Sequence, residues 1–281
     1  MLIVDAQVHI WAASTPERPW PARHPPHRPV PFTKDDLLRE MDAAGVHRAV
    51  IVPPAWEGDR NDLGLEAARL HPDRLAVMGR LDTDASGARD QIATWRKQPG
   101  MLGMRFTFAR PQLQAPLTEG RIDWVWAEAE AAGVPIMVMV SPAQVQLIDR
   151  VAERHPRLKL VMDHLSLPSG KKDDEAFIDL DQLLAIAKRP NVAAKATSLP
   201  GYTSDGYPYR RLHPHLRRVY DAFGPKRVFW GTDLTRMPCS YRQGVTMFTE
   251  EIPWLTAEDK EWIMGRGVCE WLGWKLPQPR R

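Results

Sequence analysis

Lys226-Arg-Val-Phe-Trp-Gly-Thr-Asp-Leu-Thr-Arg236 decides the fold. Its β-rich centre, Val228 to Thr232, ends in Gly-Thr-Asp and breaks into a loop that Pro238 closes. Alternation along a strand puts Phe229, Gly231 and Asp233 on one face and Val228, Trp230 and Thr232 on the other. A carboxylate at the C-terminal end of such a run, with Gly231 leaving room behind it, is a poor core filler, because Asp is seldom buried without a partner. The candidate partner stretch lies at the far end of the chain, Leu2-Ile-Val-Asp-Ala-Gln-Val-His-Ile-Trp11. If the first and last strands are neighbours, the sheet closes into a barrel and Gln7, His9 and Asp233 share one rim.

Between these ends, strand-like and helix-like runs alternate. Strands are expected over 2–11, 48–52, 75–81, 101–108, 135–140, 158–165, 191–197 and 227–233. Helices are expected from the capping box Thr33-Lys-Asp-Asp36 to Gly45, then near 61–71, 88–97, 122–132, 143–154, 175–188, 213–223 and from about 241 onward. Apolar runs such as Ala49-Val-Ile-Val52 and Ile136-Met-Val-Met-Val140 suit strands buried on both faces. No glycine-rich phosphate loop follows the first strand, against a doubly wound sheet. Eight β-then-α units without a change of composition predict an α/β protein, a single (β/α)8 TIM barrel over residues 1–281, a fold that takes about 250 residues.

Composition narrows the function. Apolar residues make up 43% of the 281-residue chain, enough for a sizeable core. A net charge of +3, with Lys and Arg scattered among acids, argues against a nucleic-acid partner. Cys239 and Cys269 form neither a disulfide framework nor a zinc spacing, and the chain runs straight into a strand without a signal-like segment, which predicts a reducing, cytoplasmic setting. No apolar run reaches the ~18 residues of a membrane helix. The expected partner is a small molecule.

Functional residues of such barrels sit at the C-terminal strand ends and in the loops that follow. Gln7 and His9 are two apart and should share a face, with Asp5 extending the polar row. His164, in Val161-Met-Asp-His-Leu165, again closes an apolar run, and Asp163 is expected on the opposite face, orienting a neighbour or capping a loop. His9, His164 and Asp233 on one rim make a candidate catalytic set, against the blander reading of satisfied polar residues in the top layer. Arg80, Arg105 and Lys195, in strands three, four and seven, and Arg236, just past Asp233, are candidates to hold an anionic substrate. A lysine in Ala193-Ala-Lys-Ala196 is unusual because a buried ammonium is costly unless paired. Tyr202 and Tyr207 follow strand seven and are candidates to hydrogen-bond or stack on substrate, against the reading of ordinary loop tyrosines. Trp11 and Trp56 could wall the pocket. Trp124, Trp126, Trp254, Trp262, Trp271 and Trp274 fall in helical context and read as packing, the C-terminal cluster also as a homo-oligomer surface.

Asp5-Ala-Gln-Val-His-Ile-Trp11, Asp163-His-Leu165 and Trp230-Gly-Thr-Asp-Leu234 resemble the amidohydrolase superfamily, closest to the amidohydrolase 2 group of metal-dependent hydrolases. That group contains sugar lactonases, dicarboxylate lactonases and non-oxidative decarboxylases. The resemblance covers nearly the whole chain, including the closing Trp262-Ile-Met-Gly-Arg-Gly-Val-Cys-Glu-Trp-Leu-Gly273, similar to the family's last helix. It implies roles in metal binding or catalysis for His9, His164 and Asp233. The chain departs from the pattern in two places. Gln7 stands where members carry the first histidine of His-x-His, and Val138-Met-Val-Ser-Pro142 lacks the strand-five histidine.

A catalytic zinc wants about three good ligands plus an open position, so His9, His164 and Asp233 would suffice for zinc or manganese only as a depleted set. A metal would bring the pKa of water from about 15.7 to near 7. Without it, Asp233 must act as general base on ordinary water, a contribution of roughly 10²–10⁴-fold, better matched to a lactone or activated ester than to an amide. The leading expectation is therefore a lactone- or ester-opening hydrolase with a carboxylate-bearing substrate. Its rivals are a decarboxylase of an aromatic or enoic acid, with Asp233 as proton donor, and an inactive barrel that only binds. Residues 14–31 hold seven prolines with Arg18, Arg23, His24, His27 and Arg28 among them, and should lie over the barrel mouth. They read as a stiff cationic lid or as a solvated loop.

Overall fold

The structure is a computed structural model that describes residues 1–20 and 26–277. Eight parallel strands lie in sequence order: β1 (Val4–Val8), β2 (Arg48–Ile51), β3 (Leu75–Gly79), β4 (Met101–Thr107), β5 (Ile136–Met139), β6 (Leu160–Met162), β7 (Val192–Ala196) and β8 (Val228–Trp230). After each comes a helix: α1 (Lys34–Ala44), α2 (Asp62–Leu70), α3 (Ala88–Thr94), α4 (Asp123–Ala132), α5 (Val145–Arg154), α6 (Leu180–Ile186), α7 (His213–Phe223) and α8 (Tyr241–Thr249). This is the expected (β/α)8 barrel. The start of α1 is the expected capping box, with Thr33 accepting from the Asp36 N–H, and Gly45 ends the helix in a left-handed conformation. The single helix expected over 175–188 is instead a turn at Asp174–Phe177 followed by α6.

Both strand faces are buried, so two apolar layers form. Val4, Ala6, Val50, Val52, Ala76, Met78, Met137, Val161, Ala193 and Phe229 fill the barrel, and Val268, Cys269 and Leu272 of the last helix join them from below. Ile51, Val77, Val138, Met162, Ala194 and Trp230 face the helices. Phe229 in and Val228 and Trp230 out is the alternation expected for β8.

The seam between β8 and β1 is made differently from the other pairings. Asp233 N–H donates to Gln7 O at 2.9 Å, and the Asp5 carboxylate takes the place of further ladder bonds. Asp5 accepts from Thr232 N–H at 2.9 Å, from the Thr232 hydroxyl, from Gln7 N–H at 3.0 Å and from Tyr241 OH at 2.8 Å. Gly231 lets the strands approach: a Cβ there would sit 2.8 Å from Ala6 N and 2.6 Å from Thr197 Cγ2.

Here the expected polar row fails. The β1–β2 register shifts between Asp5 and Val8. Ala6 and Gln7 consequently both point inward while Val8 joins the outer layer. Such a bulge re-aims side chains past it. Gln7 and His9 reach the mouth, and Asp5 stays outside as a seam residue.

Candidate active site

Above the inner layer, the C-terminal strand ends frame a cavity of about 430 Å³. Gln7, His9, Arg105, His164, Tyr202, Asp233 and Arg236 line it, all expected from the sequence. Its walls also include His27, Trp56, Thr107, Arg110, Met139 and Ser198.

Asp233, 2% exposed, closes β8 in a left-handed backbone conformation at φ 53°. Its Oδ1 is 2.9 Å from His9 Nε2, and its Oδ2 accepts from Ser198 Oγ at 3.1 Å with Arg236 Nε at 3.6 Å. Burial pushes this carboxyl up, but the contact with His9, and after it the charge of Arg236, outweigh it and hold it far below the usual carboxylate range. Asp233 is a carboxylate at any pH near neutrality. His9 Nδ1 faces Val52 O at 2.6 Å, so both ring nitrogens of His9 face acceptors.

His164 reaches the rim against strict alternation. Val161 points inward, so Asp163 does too and His164 would point out. The strand instead ends abruptly, with His164 and Leu165 at φ 51° and 53°, and this turn swings the imidazole back over the mouth. Asp163 is therefore not on the opposite face; it lies beneath, fully buried, 2.7 Å from Lys195 Nζ and 3.1 Å from Arg105 Nε. Burial alone would raise it, but these two cations hold it below its ordinary value. His164 Nδ1 meets Thr197 Oγ1 at 2.7 Å and its Nε2 meets Gln7 Nε2 at 3.3 Å. Burial lowers His164 to about 4, so the ring is neutral at neutral pH. Burial also pushes the Tyr202 phenol up to about 12, leaving it a donor.

Three of the expected substrate contacts lie elsewhere. Lys195 is completely buried below the cavity, bonded to Gln7 Oε1 at 2.6 Å and to Asp163. Its ammonium serves the inner layer and is paired, as its burial demands. Arg80 turns outward to Asp59 at 2.9 Å. Trp11, 1% exposed, pins the base of the loop after β1: its backbone pairs with Phe32 and its ring packs at 5.2 Å against Trp56. Trp56 does line the cavity, with His27 edge-on at 4.8 Å.

The described part of the Pro-rich loop is not a free cationic surface. Arg18 is bonded to Glu57 at 2.9 Å and to Asp62 at 2.5 Å, and Arg28 to Glu40 at 2.6 Å. Arg23 and His24 lie outside the described residues. His27 lines the cavity, accepts or donates to Thr235 Oγ1 at 3.0 Å, and is lowered by burial and by Arg236 to about 4. His27 belongs to the loop expected over the mouth, whereas Arg110, Ser198 and Thr197 were missed because they stand in loops or just past strands, where no periodicity marks direction. Arg110 is held below the ordinary guanidinium value by burial and by Arg236 and Arg105, so three cations gather on one wall.

The donor set does not fit a divalent cation. Among the described residues no three His, Cys, Asp or Glu side chains converge on one point. An amide nitrogen lies between the two imidazoles, and strand five ends at Met139, with Ser141 capping the next turn. Among the described residues, no helix is long and apolar enough to cross a membrane.

The sequence model of the amidohydrolase family matches residues 4–266. An L-fucono-1,5-lactonase of Burkholderia ambifaria is 27% identical, covering 82% of this chain and 79% of that protein. A 4-sulfomuconolactone hydrolase of Hydrogenophaga intermedia is 25% identical, covering 82% and 73%. Among solved structures, an amidohydrolase from Burkholderia multivorans with bound zinc superposes with a TM-score of 0.80 at 21% identity, over 97% of this chain and 99% of that one.

Proposed function

We propose, from the premise that this chain belongs to the amidohydrolase family, that it opens a lactone or related ester bearing an anionic group, with Asp233 as general base. The hydrolase assignment sets aside the inactive barrel. The observation that carries the reading is the buried, ionised Asp233 on the cavity floor, beside a wall of arginines. Relatives named for lactone opening support it.

Both Asp233 oxygens have partners, and Oδ2, whose contacts with Ser198 Oγ at 3.1 Å and Arg236 Nε at 3.6 Å are longer than the 2.9 Å contact of Oδ1 with His9, is the oxygen that takes a proton from water. The water oxygen adds to the ester carbonyl carbon, the ring C–O bond breaks, and the proton passes from Asp233 to the departing oxygen. A carboxylate held so low is a weak base. It therefore works at the low end of the roughly 10²–10⁴-fold range of general bases, which restricts it to an activated ester. Arg105 already donates to Asp163 and Thr107. Arg110 and Arg236 are thus the groups that meet a carboxylate or sulfonate on the substrate, and Tyr202 donates a hydrogen bond. Decarboxylation fits less well, since Asp233 would have to carry a proton to carbon and at neutral pH carries none.

The test is a panel of 1,4- and 1,5-lactones, with and without a carboxylate, followed by acid release. Asp233→Asn should lose about 10²-fold in kcat, the low end of that range, with its circular dichroism unchanged. Turnover that survives this change would sink the assignment, and CO2 evolution from an aromatic acid would replace it with decarboxylation.

A further inference from the structure

Polar atoms at the floor of the mouth follow one another in an order set by what each can donate. Lys195 Nζ has three N–H groups and meets three acceptors: Gln7 Oε1 at 2.6 Å, Asp163 Oδ1 at 2.7 Å and Met137 Sδ at 3.3 Å. An ammonium only donates, so the end of Gln7 that faces it must be the carbonyl oxygen. The amide NH2 then faces the imidazoles, 3.3 Å from His164 Nε2 and 3.5 Å from His9 Nε2. His9 already turns both ring nitrogens to Val52 O and Asp233 Oδ1, so the shorter contact, to His164, is the one the amide satisfies. His164 Nε2 accepts, and its ring proton sits on Nδ1, donated to Thr197 Oγ1 at 2.7 Å.

We infer that Gln7, aimed by the buried Lys195, takes the place of a divalent cation between His9 and His164 and fixes the His164 tautomer, so that the site is built to work without metal. A cation there would need the Nε2 lone pair of His164, which is already engaged by an N–H. It would also need an oxygen from Gln7, which is turned away to Lys195. Lys195 brings a further obstacle, a positive charge one side chain below the would-be metal. Asp163 and Arg105 complete the support by holding the ammonium from the other side. Among the described residues the second amide N–H has no partner closer than His9 at 3.5 Å and is left for an oxygen atom in the cavity that Gln7 lines. Gln7 is thus a positioning residue for His164.

Two measurements test this without any substrate, so they stand apart from the lactone reading. Wild-type protein dialysed against zinc and manganese chlorides and then gel-filtered should carry far less than stoichiometric metal by elemental analysis. In ¹⁵N NMR of histidine-labelled protein, His164 (identified by its loss in His164→Asn) should show a single neutral tautomer protonated on Nδ1. Gln7→Leu should lose that selectivity and give averaged ring-nitrogen shifts. Gln7→Glu, which keeps an oxygen for Lys195 but turns an acceptor to His164 Nε2, should move the ring proton from Nδ1 to Nε2 and serves if the leucine variant fails to fold. A stoichiometric metal retained by the wild type, or His164 signals unmoved by both changes, overturns the inference.

Discussion

His164 sets the acid limit of the chemistry. Its imidazole is neutral above about 4, because burial disfavours the charged ring. Below that value, protonation converts Nε2 from acceptor to donor and breaks the contact with Gln7. Asp233 is held lower still, so it remains ionised after His164 has titrated. We expect kcat/KM to stay level from neutral pH through mildly acidic pH and to fall with a midpoint near 4; a limb near neutrality would contradict these assignments. At this scale the sequence was legible for residue type and strand-end position, which brought out His9, His164 and Asp233. It was silent on direction. Trp11, Arg80 and Lys195 have the right chemistry and the right strand ends, yet neighbours far along the chain turn them to Phe32, Asp59 and Asp163.

At the scale of elements, the decisive features are two irregularities. The bulge in β1 sends Gln7 inward and leaves Asp5 to stitch β1 to β8 and to Tyr241 of α8. Left-handed residues at His164, Ser198 and Asp233 end β6, β7 and β8 and turn functional side chains over the mouth. Non-glycine residues pay about 1–3 kcal/mol for such backbone, which persists where surrounding contacts impose it. Asp5 yields a stability test. Burial is the largest influence on it and raises it from 3.8 to about 6, against the hydrogen bonds that lower it. Below pH 3.8 both folded and unfolded states hold the proton; between 3.8 and about 6 only the folded state does. Stability from this group is therefore greatest in acid and falls as pH rises through that window. At about 1.4 kcal/mol per pH unit the loss is about 3 kcal/mol. The unfolding free energy of wild type minus that of Asp5→Asn, measured by denaturant titration across this range, should show the decline. A difference that does not change with pH would refute it.

Taken whole, the molecule carries a small net charge of +3 but gathers Arg105, Arg110 and Arg236 at one opening. A low-dielectric mouth in which three arginines outnumber the Asp233 carboxylate concentrates anions. For an anionic lactone, kcat/KM should fall as salt is added, with little change for a neutral one. Arg110→Met should raise KM for the anionic substrate about tenfold, as for loss of a charged hydrogen bond of about 1.5 kcal/mol, while leaving the neutral substrate nearly untouched. Equal effects on both substrates would remove Arg110 from the anion site.

Strand and helix order, the barrel and the meeting of the two chain ends were determined by the sequence alone, because hydrophobic periodicity and caps are local and repeat eight times. Which polar residue faces the mouth was decided only by the tertiary structure. A one-residue bulge or a single left-handed turn reverses a side chain's direction, and both are imposed by contacts between strands remote in sequence. The same holds for Gln7. Its amide could present oxygen or nitrogen to the two histidines, and only a lysine 188 positions away, buried beneath it, settles which.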